Sequence, residues 1–178
     1  DKQKERYQER FPFIRDDQCV RLSSVFSVKD LEKIENLRNK RKERGHNNKW
    51  AIIKSNSWIK GTESAEKALG EFLSKDESYE LLYGLTNEKL LEKLSEFKGF
   101  CLLPNGGDTC PRTVIEASLL GLELYINKNV QHISEEWWHK DPMDVEAYLL
   151  EGHKRFWDQI EKYINRDVKL SGYTTVKN

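Results

Sequence analysis

The sequence predicts an α/β domain with a Rossmann-like parallel sheet and helices on both faces. Two observations support this: short apolar runs typical of strands recur along the chain, and amphipathic helical stretches lie between them. Strands that alternate with helices are typical of βαβ units, in which parallel strands are joined by a helix packed on the sheet. A length of 178 residues fits one domain that can bury a core without disulfides.

Five short apolar runs are predicted to be strands: residues 19–24, 49–54, 79–84, 99–104 and 122–127. In an open parallel sheet, ligands bind outside the carboxyl ends of the strands. The positions to inspect for a site are therefore those that follow Lys54, Gly84, Pro104 and Asn127.

Helices are predicted over residues 28–44, 64–73, 87–97, 111–121 and 144–164, the last as one helix or as two that break near Gly152. One face of the first carries apolar residues at helical spacing, namely Leu31, Ile34 and Leu37. Asn87 is a suitable N-cap, and Pro111 stands at the expected first position of its helix.

Composition and charge exclude several classes of protein. Lysine and arginine number 30, as do aspartate and glutamate, and a net charge of zero argues against a nucleic-acid partner. No apolar stretch is long enough to span a membrane. Three cysteines, an odd number without metal-ligand spacing, favour a reducing compartment, so a cytoplasmic location is expected. No metal site or cofactor is expected.

The loop NGGDTCPRT, residues 105–113, is the most informative part of the chain. Gly106 and Gly107 let the backbone approach a ligand closely. The helix that opens near Pro111 directs free N–H groups and a positive dipole end at this loop, which suits a phosphate.

Two acidic residues accompany this loop. Asp108 lies at its tip, and Glu116 lies inside the following helix, where a carboxylate could accept hydrogen bonds from ribose hydroxyls. The alternative is that the loop is an ordinary turn and Glu116 a solvated helix residue. Lys54 and Lys60 end or follow the second strand, and each either faces a diphosphate or is solvated.

The segment PNGGDTCPRTVIEASLLGLELYIN resembles the signature of GT-B glycosyltransferases, in the retaining class that includes sucrose synthase and glycogen synthase relatives. Asp108 and Glu116 have the family's separation, although the family usually has Glu at the first position. IKSNSWIKG resembles a second family element, with Lys54 in place of the usual Arg and with Lys60–Gly61 intact. ELLYGLTNEKLLEKLSEFKGFCLLP resembles the strand, short loop, helix and strand that precede the signature.

The resemblance implies a nucleotide-sugar site and a role for each matched residue. Glu116 would bind the donor ribose, Asp108 the hydroxyls of the donor sugar, and Lys60 the diphosphate as it leaves. Lys54 would assist Lys60, and Leu85, in the loop 84–86, would lie by the base. Further contacts would come from Gly106 and Gly107 and from the backbone N–H groups of Thr109, Cys110, Arg112 and Thr113.

The resemblance also implies a domain organisation, the C-terminal half of a GT-B fold. Residues 19–165 would form the donor-binding domain, 1–18 a linker from a missing N-terminal domain, and 166–178 a tail. The partners would be a nucleotide sugar, a glycan or other acceptor, and the N-terminal domain, without which we expect little turnover. The alternatives are a non-catalytic nucleotide-sugar or carbohydrate-binding module and a GT-B-fold sugar-nucleotide epimerase.

Aromatic residues offer further candidates for ligand contact or for packing. Trp58, beside Lys60, is expected to be exposed and is a candidate for ligand contact, whereas Trp137 and Trp138 are expected in core or interdomain packing. Phe156 and Trp157 are expected to pack the last helix onto the domain.

Overall fold

The computed structural model of the protein describes residues 2–15, 24–108 and 111–170. Seven helices lie in this part of the chain: α1 Lys2–Arg10, α2 Val28–Arg44, α3 Thr62–Phe72, α4 Asn87–Leu94, α5 Arg112–Leu119, α6 Pro142–Leu150 and α7 Gly152–Leu170. Four strands form the described sheet: β1 Lys49–Ile53, β2 Ser78–Leu82, β3 Gly99–Leu102 and β4 Glu123–Ile126. Two 3-10 turns, Trp58–Lys60 and Gln131–Ser134, complete the described elements.

The sheet is entirely parallel, with the strand order β2-β1-β3-β4. Each strand agrees within two residues with one of the predicted apolar runs, so the predicted α/β class and parallel sheet are confirmed. The predicted strand 19–24 lies almost wholly outside the described residues.

Both faces of the sheet are covered by helices, as the sequence predicted. Because successive strand residues point to opposite faces, neighbours in β1 enter different cores. Ala51 packs in the larger core with side chains of α2, α4 and α5. Trp50 and Ile52 pack in the smaller core with Ala65 and Leu69 of α3.

Side-chain caps set where two of these helices begin. Ser27 and Asp30 form a reciprocal capping box at the start of α2, which satisfies two otherwise unpaired backbone N–H groups. At α4 the N-cap is Thr86, whose hydroxyl accepts from the backbone N–H of Lys89. The prediction of Asn87 as the N-cap was wrong by one residue, which frees its amide for another contact.

Of the two alternatives for residues 144–164, the structure has the two helices with a break near Gly152, since α6 ends at Leu150 and α7 begins at Gly152. α7 continues to Leu170, so the first positions of the expected tail are helical, and residues 171–178 lie outside the described part. Trp157 is 61% exposed, which contradicts its expected packing against the domain, whereas Phe156 is 39% exposed and contacts the Trp157 ring. Within the described residues, no helix combines the length and apolar character needed to cross a membrane.

Candidate functional site

The strand order creates a crevice between β1 and β3. From β1 the chain passes through α3 to β2 on one side, and then through α4 to β3 on the other side of β1. The loops that follow β1 and β3 therefore depart in opposite directions, which opens a crevice at the carboxyl ends of these strands. These are the two loops that the sequence singled out, after Lys54 and after Pro104.

Backbone contacts hold the two loops together. The backbone N–H of Asn105 donates to the carbonyl of Ile59 at 3.1 Å, and its side-chain Nδ2 donates to the carbonyl of Trp58 at 2.9 Å. Gly61 has φ 62°, and a Cβ there would lie 2.0 Å from the carbonyl oxygen of Leu103. The Lys60–Gly61 element thus has a physical cause, because only glycine lets the turn 58–60 lie against the end of β3.

Lys60 and Asp108 meet across the crevice. The Nζ of Lys60 lies 2.7 Å from Oδ2 of Asp108, whose side chain is only 10% exposed against 41% for that of Lys60. The backbone of Asp108 is fixed by an isolated parallel bridge to Val130. The structure therefore brings the two predicted catalytic residues together as an ion pair at the edge of the sheet.

Glu116 is buried, with 1% of its surface exposed. Its Oε1 accepts hydrogen bonds from Nε of Arg112 at 2.9 Å and from Nδ2 of Asn87 at 3.1 Å. The alternative in which Glu116 is a solvated helix residue is wrong. Because Asn87 opens α4, Glu116 joins the amino-terminal ends of α4 and α5.

The side chain of Arg112 serves the packing of helices. It lies 3.1 Å from the carboxylate of Asp30, donates to the carbonyl of Val25 at 3.1 Å, and stacks over the ring of Phe26 at 4.1 Å. Burial alone would lower the pKa of Arg112, but its hydrogen bonds to Glu116 and Asp30 raise it, so the guanidinium stays charged. The predicted ligand contact of this residue involves only its backbone N–H, at the first position of α5.

Lys54 occupies a different place from Lys60. Its ammonium lies 5.6 Å from the centre of the exposed Tyr83 ring. It also lines a cavity of about 450 Å³ whose described lining includes Trp58 but neither Lys60 nor Asp108. The two lysines thus have different neighbours, and that both contact one diphosphate stays a prediction.

The remaining predicted contacts that the structure describes lie in the turns after β2 and β3 and at the start of α5. Leu85 is exposed in the turn after β2, where Gly84 has φ 65°. Gly106 and Gly107 are half-buried in the loop after β3, and Thr113 is half-buried in the first turn of α5. Thr109 and Cys110 lie outside the described residues.

Three asparagines that the sequence reasoning did not select help to build this edge. Nδ2 of Asn127 and Nδ2 of Asn129 both donate to the carbonyl of Pro104, at 3.1 and 2.7 Å. Asn105 connects the loop after β3 to the turn 58–60, as described above. The available signal was position, because Asn105 directly follows one predicted strand and Asn127 is the last residue of another.

Among the described residues, no three His, Cys, Asp or Glu side chains gather as a metal ion would require. Comparisons with protein-family models, with curated proteins and with solved structures return no match for this chain. The fold and the crevice define a Rossmann-like α/β domain with a Lys–Asp pair at the carboxyl edge of its sheet. No comparison therefore assigns this chain to a family.

Proposed function

We propose that this chain is the donor-binding domain of a GT-B-like retaining glycosyltransferase, which binds a nucleoside diphosphate sugar between the loops after β1 and β3. The observation that carries the proposal is the Lys60–Asp108 pair at the point where the sheet reverses its strand order. The spacing from Asp108 to Glu116 and the Lys60–Gly61 element, both typical of the family, support it.

The chemistry of the crevice suits a departing diphosphate. The Lys60 ammonium and the N–H groups that open α5 provide positive charge where the leaving group becomes more negative, without a metal ion. Asp108 provides a carboxylate that binds sugar hydroxyls once a phosphate has replaced it as the partner of Lys60. Glu116 would bind the ribose after exchanging one of its present donors, Arg112 or Asn87.

The remaining parts of the proposal concern partners and location. The acceptor, a glycan or another hydroxyl-bearing molecule, would bind mainly to an N-terminal domain that closes over this crevice. The cytoplasmic location expected from cysteine usage is part of the same proposal.

A second candidate is a non-catalytic nucleotide-sugar or carbohydrate-binding module. The burial of Glu116 favours it, because this carboxylate already has two hydrogen-bond donors inside the protein. Asp108, which stands where the family usually has Glu, also favours a site that has lost transfer activity.

Thermal denaturation with UDP, GDP, ADP and their glucose conjugates tests the proposal. A ligand present at 100 times its dissociation constant stabilises the folded state by about 2.7 kcal/mol, which raises the melting temperature by about 5–10 °C. We expect one nucleoside diphosphate to do so. Lack of stabilisation by every nucleotide in the set would contradict the proposal.

Variants at the ion pair make the test specific. Lys60→Met should weaken the diphosphate by about tenfold, because a charge-assisted contact is lost at a partly exposed site. Asp108→Asn should raise the affinity for the nucleoside diphosphate, because no carboxylate then competes for Lys60. It should also abolish any extra affinity of the nucleotide sugar over the nucleoside diphosphate. Lys67→Met, at an exposed position of α3, is the matched control and should change neither affinity. Equal effects of the two lysine variants would refute the assignment.

Glu116→Gln separates the two candidate functions. The amide preserves an acceptor for Arg112 and Asn87 but cannot offer a carboxylate to a ribose. The donor-domain proposal expects weaker binding of every nucleoside diphosphate. If the chain is a binding module in which Glu116 is purely structural, Glu116→Gln should leave nucleoside diphosphate binding unchanged. The same thermal shift measures both outcomes.

A further inference from the structure

A polar cavity of about 450 Å³ lies beside the crevice. It is enclosed by the loop after β1 and the first turns of α3, and residues that line it include Lys54, Asn56, Trp58, Glu63 and Glu66. The Lys60–Asp108 pair does not belong to its described lining, so this space is separate from the diphosphate site proposed above.

Trp58 forms an exposed aromatic wall of this cavity. Its side chain is 71% exposed, although an indole of this size normally gains stability from burial. Its backbone is nevertheless fixed, since its carbonyl accepts from Nδ2 of Asn105 at 2.9 Å and from the N–H of Gly61 at 3.2 Å. The turn therefore presents a flat apolar face at a defined place, with its ring 3.6 Å from the position that a Gly106 Cβ would take.

The cavity is also lined by hydrogen-bonding side chains. Glu63 and Glu66 project from the first turns of α3, and Asn56 from the loop after β1. Carboxylates and amides of this kind accept or exchange hydrogen bonds with neighbouring hydroxyl groups. Oδ1 of Asn105 accepts from the hydroxyl of Ser64 at 2.8 Å, which fixes the amide that supports Trp58.

The charge of the cavity selects among ligands. The charged side chains in its described lining are one lysine, Lys54, and two glutamates, Glu63 and Glu66. This excess of negative charge disfavours phosphates and uronic acids. An aromatic face together with several hydroxyl-binding groups, without an excess of positive charge, matches the apolar face and the hydroxyl rim of a neutral pyranose ring.

We propose that this cavity is a binding subsite for a neutral pyranose, which stacks on Trp58 and places its hydroxyls against Glu63 and Glu66. Trp58 is two positions from Lys60 along the same turn, so the bound ring lies next to the crevice. Its role as an acceptor subsite rests on the function proposed above, whereas sugar binding itself does not.

Indole N–H resonances of isotopically labelled protein test the proposal by NMR titration. The probes are methyl α-D-glucopyranoside, methyl α-D-mannopyranoside and maltotriose at millimolar concentrations. We expect the Trp58 resonance to shift saturably with at least one of them. Trp157, 61% exposed on α7, provides the matched control resonance and should not shift.

Substitutions complete the experiment. Trp58→Ala should lower the affinity for the sugar at least about tenfold, equivalent to about 1.4 kcal/mol. Trp157→Ala should leave this affinity unchanged. Glucose 6-phosphate should bind more weakly than the methyl glucoside. The proposal is overturned if no probe shifts Trp58, if Trp157 shifts equally, or if the phosphorylated sugar binds more tightly.

Nucleotide titrations keep this inference distinct from the donor-site proposal. Trp58→Ala should retain the thermal stabilisation by nucleoside diphosphate. Sugar binding without nucleotide stabilisation would retain the subsite and reject the donor-domain function, and the reverse result would reject only the subsite.

Discussion

Replacing Gly61 by alanine is expected to damage both the stability and the site of this domain. Gly61 has φ 62° and ψ 38°, the left-handed conformation, which costs an alanine about 1–2 kcal/mol. The added Cβ would also lie 2.0 Å from the carbonyl oxygen and 2.9 Å from the carbonyl carbon of Leu103. Both atoms belong to the backbone, so no side-chain rotation relieves the overlap.

The steric overlap accounts for the rest of the expected loss of stability in Gly61→Ala. To accommodate the methyl group, the turn 58–60 must move away from the end of β3. This movement strains or breaks the two hydrogen bonds between Asn105 and the carbonyls of Trp58 and Ile59, each contributing about 1 kcal/mol. The total is about 3–4 kcal/mol, or a fall in melting temperature of about 6–16 °C for a domain of this size.

The assay is thermal denaturation followed by circular dichroism, with Gly84→Ala as the matched control. Gly84 has φ 65°, yet an added Cβ would meet nothing within 4 Å. The control should therefore lose only the conformational term, about 1–2 kcal/mol. If Gly61→Ala lost no more stability than Gly84→Ala, the argument from backbone overlap would be refuted.

Two further substitutions test buried and ionic contacts by the same assay. Glu116→Ala leaves two donors without their buried acceptor and should lower the free energy of unfolding by about 2–3 kcal/mol. Glu116→Gln keeps an acceptor and should lower it clearly less. Equal losses of stability would show that these hydrogen bonds do not matter. Hydrogen bonds from Lys98 and then Ser74 lower the pKa of Glu77 from 4.5 to about 2. Its stabilising effect is therefore present above pH 4.5 and is lost as the pH falls towards 2. The melting temperature of Glu77→Gln should accordingly fall less steeply over this range than that of the native chain or of the exposed-site control Glu71→Gln. If melting temperature varied with pH in the same way for all three proteins, the lowered pKa of Glu77 would not contribute to stability.

The sequence predicts the strands and helices well because their signals are local. The run KWAIIK contains enough apolar residues in a row to be a buried strand in any context, and 28–44 has a helical apolar stripe together with its capping serine. Strand order has no such local signal. The position of β1 between β2 and β3 depends on tertiary packing: α3 covers one face of the sheet, and α2, α4 and α5 cover the other.

The approach of Lys60 to Asp108 follows from topology, whereas the surroundings of Glu116 and Arg112 depend on helix packing; the ligand-binding roles of all four stay predictions. Lys60 and Asp108 both follow strands at the carboxyl edge, so their approach follows once β1 and β3 are neighbours. The environments of Glu116 and Arg112 depend instead on the rotation of α5 against α2 and α4. Nothing in the local pattern indicates that Asp30, on α2, competes for the Arg112 guanidinium.

The distribution of charge in the crevice limits what the domain can do by itself. Lys60 is neutralised by Asp108, and the one cation Arg112 contacts two carboxylates, those of Asp30 and Glu116. If a diphosphate binds here as proposed, it meets no excess of positive charge among the described side chains of the crevice and must displace Asp108 from Lys60 to contact the ammonium. The backbone N–H groups that open α5 contribute the remaining attraction, and these act only over the first turn. Under the proposed function, a nucleotide sugar would supply both a phosphate for Lys60 and hydroxyls for the released Asp108, whereas free phosphate would supply only the first.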